Sequence, residues 1–169
     1  RKRLDLVIKA FIEGIPSLPE DTNLLIIGNG PEKDFLKTLS KTASNRIIFL
    51  DSITDNSILY NYFKESIASI SFGQAGLSVL HSFLFGVPCI ISDKAISGGE
   101  SLNVLHNETG LICSQTIAAL KQTLISLAND PIKLNTLSEN AYNHYWQKRL
   151  PSTMVNGFID AINAVSSPS

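Results

Sequence analysis

Five short runs of apolar residues punctuate the chain, and they limit its fold more than any other feature. They are Leu24–Ile27, Ile47–Leu50, residues 67–71, Cys89–Ser92 and Gly110–Cys113. Runs this short suit strands better than helices. Being nearly unbroken rather than alternating, they suit strands covered on both faces. Between them the apolar spacing becomes helical. Leu4, Val7, Ile8 and Phe11 keep the i, i+3, i+4, i+7 rhythm, and Gly14, Pro16 and Pro19 end that first helix. Phe35, Leu36, Leu39 and Ala43 continue as a helix with Pro31 at its first position. Asp55 and Asn56 offer an N-cap for a helix through Ile58, Leu59, Tyr62 and Phe63. Three amphipathic helices close the chain. Buried strands alternating with helices predict an α/β fold, a Rossmann-like parallel sheet of five strands with right-handed crossovers and helices on both faces. The 169 residues fit one such domain.

In open parallel sheets ligands sit beyond the carboxyl ends of the strands. Three glycine pairs fall there: Gly28 with Gly30, Gly73 with Gly76, and Gly98 with Gly99. Taken singly each pair could simply end an element; three at one end of one sheet point to a ligand. The most informative stretch is residues 71–88, SFGQAGLSVLHSFLFGVP, a strand end, a glycine loop and a helix stopping at Gly86. Gly73 and Gly76 allow positive φ and close approach of backbone to a ligand. The first amides of the following helix lack partners within it and attract phosphate. Leu77, Leu80, His81 and Leu84 form one stripe of that helix and Val79 with Phe83 a second, so the helix is expected to be buried nearly all round. His81 is read either as a hydrogen-bonded core residue or as a group reaching a hydroxyl or phosphate of the ligand.

Composition excludes several classes. With 44% hydrophobic and 17% charged residues the chain is not disordered. A net charge of −1, from 14 basic and 15 acidic residues, gives no reason to expect a nucleic-acid partner, and Arg1, Lys2 and Arg3 are too few for a polybasic arm. Cys89 and Cys113 lie in strand-like runs without metal-ligand spacing and read as buried free thiols, which favours a reducing, cytoplasmic compartment. No apolar run approaches the roughly 18 residues that span a bilayer.

The order of these pieces resembles the carboxyl-terminal, nucleotide-sugar-binding domain of the retaining GT-B glycosyltransferases of family 4. The segment Lys2-Arg3-Leu4-Asp5-Leu6-Val7-Ile8-Lys9-Ala10-Phe11 is similar to that family's K-G-x-D-x-L-I-x-A-F helix, and Leu25-Ile26-Ile27-Gly28-Asn29-Gly30-Pro31 to its V-I-V-G-x-G-P turn. Arg46-Ile47-Ile48-Phe49-Leu50 matches R-V-x-F-L, and Glu108-Thr109-Gly110-Leu111 matches E-T-G-L. The resemblance implies that Lys2 meets the donor diphosphate, where an ammonium offsets the charge of the departing group. It implies that the backbone at Ser52 and Ile53 reads the nucleobase, and that Gly28, Gly30 and the loop of Gly73, Gln74, Ala75, Gly76 and Leu77 line the donor site. Most of the family carries two glutamates eight positions apart, where this chain has Gly73 and His81. It resembles instead a subset with G-x-x-G-L-x-x-x-H-S-x-x-x-G-x-P, reproduced by Gly73, Gly76, Leu77, His81, Ser82, Gly86 and Pro88. Glu100 then becomes a substitute carboxylate, or simply a solvated loop acid.

The resemblance implies a retaining hexosyltransferase of cell-surface polysaccharide assembly, with Lys2 and His81 as its catalytic side chains. The donor is a UDP- or GDP-linked sugar, with no other cofactor and no metal. It further implies that an acceptor domain for a glycan or lipid-linked sugar lies outside this chain, as does the first, central strand of the sheet. This piece alone is then expected to be inactive. Residues 154–162 are expected to pack towards the acceptor domain, and the full-length protein to associate peripherally with membranes. Two rivals stay open: a GT-B nucleotide-sugar epimerase, which needs acid/base groups around the glycine loops, and a nucleotide-sugar-binding module without activity.

Overall fold

The computed structural model describes residues 2–166. Helix α1 (Leu4–Gly14) leads into strand β1 (Leu24–Ile27), α2 (Lys33–Leu39), β2 (Ile47–Leu50), α3 (Asn56–Lys64) and β3 (Ser69–Ser71). A two-residue strand β4 (Gln74–Ala75) precedes α4 (Ser78–Leu84), β5 (Cys89–Ser92), a second short strand β6 (Ile96–Ser97) and β7 (Gly110–Cys113). Helices α5 (Ile117–Ala128), α6 (Pro131–Lys148) and α7 (Pro151–Ser166) follow. All strand pairs are parallel, as the apolar runs require. The fold is α/β with helices on both sides of the strands. Arg1, part of the only basic cluster, lies outside the described residues.

The strands form two main sheets, β1–β2 and β3–β5–β7, and a short third, β4–β6, rather than one. β1 pairs with β2 from Leu24↔Ile47 to Ile27↔Leu50, and β5 pairs with β3 on one side and β7 on the other. No ladder joins β1 to β3. What holds the halves together is a core into which α1 delivers Val7, Ile8, Ala10 and Phe11, α5 delivers Leu120 and Leu127, and the ladders deliver Leu24, Ile47 and Ile90. At about 25 cal/mol per Å2 of apolar area, each large side chain so buried contributes on the order of 2 kcal/mol.

Several expectations need correction. β1 and β2 are not covered on both faces: Ile27 and Ile48 are 37% and 43% exposed, because α3 buries none of its residues against them. By contrast all four residues of β5 are buried, since both its faces are packed, Ile90 into the core with α1 and α5 and Cys89 and Ile91 into the cluster with Val79 and Phe83 of α4. Helix α2 begins at Lys33 rather than at Pro31. Asp55 does cap α3, accepting the Ser57 N–H at 2.8 Å, a contact typically worth about 1 kcal/mol. α4 is not buried all round, because only Val79, Ser82 and Phe83 face the core. Leu80, His81 and Leu84 are half-buried, and Leu77 is 73% exposed. Cys89 is fully buried and Cys113 only partly, both free, and burial pushes the Cys89 thiol up to about 11.

Candidate functional site

The loops after β1, β2, β3 and β5 gather the chemistry, and they do so as two groups. The first is built on the β3 loop. Gly73 donates its N–H to the Lys2 carbonyl at 3.1 Å, and the Lys2 Nζ returns to the Gln74 carbonyl at 3.3 Å. This double contact plants an exposed ammonium directly beside the glycine loop. An ammonium has three N–H donors, so one carbonyl leaves capacity for an anionic ligand. On its other side the loop is held by β6: Ile96 donates to the Gly73 carbonyl, and β4 pairs with β6 in the register Gln74↔Ile96. Beneath it, Ser92 Oγ donates to the Phe72 carbonyl at 2.6 Å, and Gln115 Nε2 reaches the same carbonyl at 3.2 Å and Ser92 Oγ at 3.0 Å.

Neither Gly73 nor Gly76 adopts positive φ, contrary to expectation; the positive-φ glycines among the described residues are Gly28, Gly86 and Gly99. Gly76 is open in another sense, because a Cβ built there meets nothing within 4 Å. The start of α4 is also less open than its sequence suggests, since Val79 donates its N–H to the Gly76 carbonyl. That bond leaves the loop and Lys2 as the better-defined part of the candidate site.

Glu100 belongs to this group through β6. Its Oε2 accepts from Gly98 N–H at 2.9 Å and Ser97 Oγ at 3.2 Å, while Ser97 Oγ accepts from the N–H groups of Gly99 and Ser101. Its own backbone N–H, with those of Gly98 and the Ser97 hydroxyl, holds its carboxyl below the usual carboxylate range. The acid is thus ionised and folded onto its own turn.

The second group sits at the ends of β1 and β2. Lys33 Nζ bridges Asn29 Oδ1 at 2.7 Å and Asp51 Oδ1 at 2.6 Å, clipping the loop of Gly28 and Gly30 to the loop of Ser52 and Ile53. The Lys33 ammonium holds the Asp51 carboxyl low. Gly28 has φ +134° and donates to the Leu50 carbonyl, so this turn does require glycine. The backbone of Ser52 and Ile53 makes no hydrogen bond to other described residues, leaving it available to a ligand. His81 stands apart. Its ring lies 5.6 Å from that of Phe63 and 5.4 Å from that of Phe85, and neither imidazole nitrogen has a hydrogen-bond partner among the described residues. It is neither a satisfied core histidine nor part of the Lys2 cluster.

Sequence reasoning missed the Lys33 clip and a buried polar knot of Asn103, Thr109 and His144, because Lys33 reaches Asp51 across 18 residues and His144 reaches Asn103 across 41, and no local spacing announces such partners. The knot has a pH consequence. Burial, with the charges of Arg149 and Lys148, holds the His144 pKa below the ordinary 6.5. The unfolded chain therefore takes up this proton first as pH falls. Stability is complete above about pH 6.5 and declines as pH drops through the lowered folded value. Denaturant titrations at stepped pH should show that decline, and His144→Gln should flatten its first part; an unchanged acid limb would contradict the assignment.

The architecture is that of the carboxyl-terminal domain of GT-B glycosyltransferases, and comparison with known proteins agrees. The sequence model described as "Glycosyl transferases group 1" matches residues 1–144, and the chain belongs to that family. An uncharacterized glycosyltransferase of Haemophilus influenzae is 30% identical over 135 residues, covering 77% of this chain and 37% of that protein. S. aureus TarM, solved as a mutant with Fondaparinux, alpha-GlcNAc-glycerol and UDP, superposes with a TM-score of 0.80 at 18% identity, covering 94% of this chain and 32% of TarM. The C-terminal domain of LpcC, a glycosyl transferase group 1 family protein of Francisella tularensis, gives a TM-score of 0.73 at 18% identity over 87% of this chain and 79% of that one. The chain spans well under half of the H. influenzae protein and of TarM.

Proposed function

We propose that this chain is the donor-binding half of a retaining family 4 hexosyltransferase that moves a sugar from a UDP- or GDP-linked donor to a glycan or lipid-linked acceptor in surface polysaccharide assembly. The observation that carries the reading is the Lys2 ammonium held beside the loop of residues 73–76 by its own bond to the Gln74 carbonyl and by the Gly73 N–H bond to the Lys2 carbonyl. When the anomeric C–O bond breaks, the bond pair leaves with the diphosphate, and a fixed ammonium is worth most against charge that develops only then. In this arrangement the Ser52 and Ile53 backbone meets the base, His81 reaches the ribose, and Glu100 turns towards the sugar. TarM, bound to UDP on the same fold, supports a nucleotide donor.

The unpaired edges of β1 and β3 support a further part of the proposal, that a strand from outside this chain lies between them. Val155, Phe158, Ile159 and Ile162 form an exposed apolar stripe on α7, which supports packing of that helix against an acceptor domain. Both belong to a cytoplasmic enzyme working at a membrane surface.

The test is thermal unfolding of the full-length protein against UDP-, GDP- and ADP-sugars. A ligand at 100 times its Kd adds about 2.7 kcal/mol, a shift of several degrees in the melting temperature. His81→Ala should reduce that gain, by about tenfold in affinity, with little change in the free protein's melting temperature. No stabilisation by any nucleotide sugar would overturn the reading, and a fall in melting temperature with full affinity would return His81 to the core.

A further inference from the structure

The 3-10 turn Glu100–Asn103 ends on a side chain that faces two ways. Asn103 is 7% exposed. Its Nδ2 donates to the Glu100 carbonyl at 3.0 Å, closing the turn that carries the candidate donor-site acid. Its Oδ1 accepts from His144 Nε2 at 3.2 Å and from Arg149 Nε, both near the end of α6. Its backbone carbonyl accepts from Thr109 Oγ1 at 2.7 Å, and Thr109 in turn accepts the Leu105 N–H. A buried amide whose nitrogen and oxygen both have partners is specific: a shift of one partner leaves a polar group unpaired.

The contacts on either side of Asn103 are continuous. From the Glu100 carboxylate they run through Gly98 and Ser97 to β6, from β6 to β4, and from the Gln74 carbonyl to Lys2. In the other direction Arg149 is the residue at which α6 stops, and α7 begins two residues later at Pro151. The Arg149–Asn103 contact thus lies at the α6–α7 junction.

We propose that Asn103 is a positioning residue that transmits the pose of the α6–α7 junction to the Glu100 turn, so that a change in α7 alters how the donor's sugar is held. The functional half of this statement rests on the donor-site reading above. Arg149 is the adjustable arm. The residue as a whole is exposed and its guanidinium reaches the amide by one N–H, whereas His144 and Thr109 are buried parts of the scaffold.

Arg149→Ala is therefore the informative variant, since Asn103→Ala strips partners from several buried groups and risks unfolding. Hydrogen exchange on the free full-length protein should show the Gly98, Gly99 and Ser101 amides about tenfold faster in Arg149→Ala, with Arg149→Lys restoring part of the protection. Titration with UDP-glucose and GDP-mannose, each against bare UDP and GDP, should show about tenfold weaker binding of the sugar nucleotide and unchanged binding of the bare diphosphate, the loss expected for one charged hydrogen bond. Adding Arg149→Ala to Glu100→Ala should cost nothing further, because the two act through one turn. Unchanged exchange at residues 98–101 would overturn the coupling, as would an equal loss for bare and sugar-linked nucleotides. Faster exchange in a protein that binds none of the four ligands would support the coupling and overturn the donor-site reading.

Discussion

Gly110→Ala is expected to lower the melting temperature of this protein by roughly 6–12 °C, the thermal equivalent of about 3 kcal/mol in a chain of this size. Gly110 opens β7 opposite Cys89 of β5. A Cβ built there lies 2.2 Å from the Cys89 carbonyl oxygen, 2.9 Å from Val104 Cγ1 and 3.1 Å from the Cys89 nitrogen. Two of the three clashes are with the backbone of the central strand, which has neighbours on both edges and cannot swing aside as a side chain could. The Gly110 φ is not in the left-handed region, so the demand is for space and not for a special conformation. Overpacking of this kind typically costs 1–3 kcal/mol, and a contact this short belongs at the upper end. Calorimetric unfolding of wild type and variant decides it; a drop under 2 °C would mean that β5 and β7 can separate without penalty.

Gly76→Val is expected to do the opposite, leaving stability nearly unchanged and removing function. Nothing lies within 4 Å of a Cβ at Gly76, its backbone is not left-handed, and its carbonyl already accepts the Val79 N–H. The fold therefore has room for valine. The ligand proposed to lie against that loop does not, and the branched side chain would hold a diphosphate away from the loop and from the Lys2 ammonium. Losing about 2 kcal/mol of such contacts weakens binding roughly 30-fold. Titration of a nucleotide sugar, paired with melting curves, separates the outcomes: unchanged affinity would place the ligand elsewhere, and a large fall in melting temperature would show that the space is needed by the protein itself. Both glycines fall in family-like motifs, yet a Cβ at Gly110 collides with the sheet and one at Gly76 meets open space.

That contrast marks how far the motifs reach. Arg46-Ile47-Ile48-Phe49-Leu50 and Glu108-Thr109-Gly110-Leu111 identified the family, but Arg46 spends its guanidinium on the Pro19 and Thr22 carbonyls and Thr109 spends its hydroxyl on the Asn103 carbonyl. These residues are structural ties. The segment that begins with Lys2 is different, for there the matching residue stands exposed beside the glycine loop.

The sequence by itself determined the alternation of strands and helices, the parallel pairing, the Asp55 cap and the glycine-bearing loops on which the candidate site is proposed. These follow from periodicity and local backbone chemistry, which a chain carries in its neighbouring residues. Only the tertiary structure decided that the strands form separate sheets rather than one, that β4 and β6 pair to hold the central loop, and that one flank of α4 stays open. Only it brought Lys33 to Asp51, 18 residues away, and Asn103 to Arg149, 46 residues away. Such contacts depend on which elements become neighbours in space, and a polar side chain gives no sign of a partner that the fold has yet to deliver.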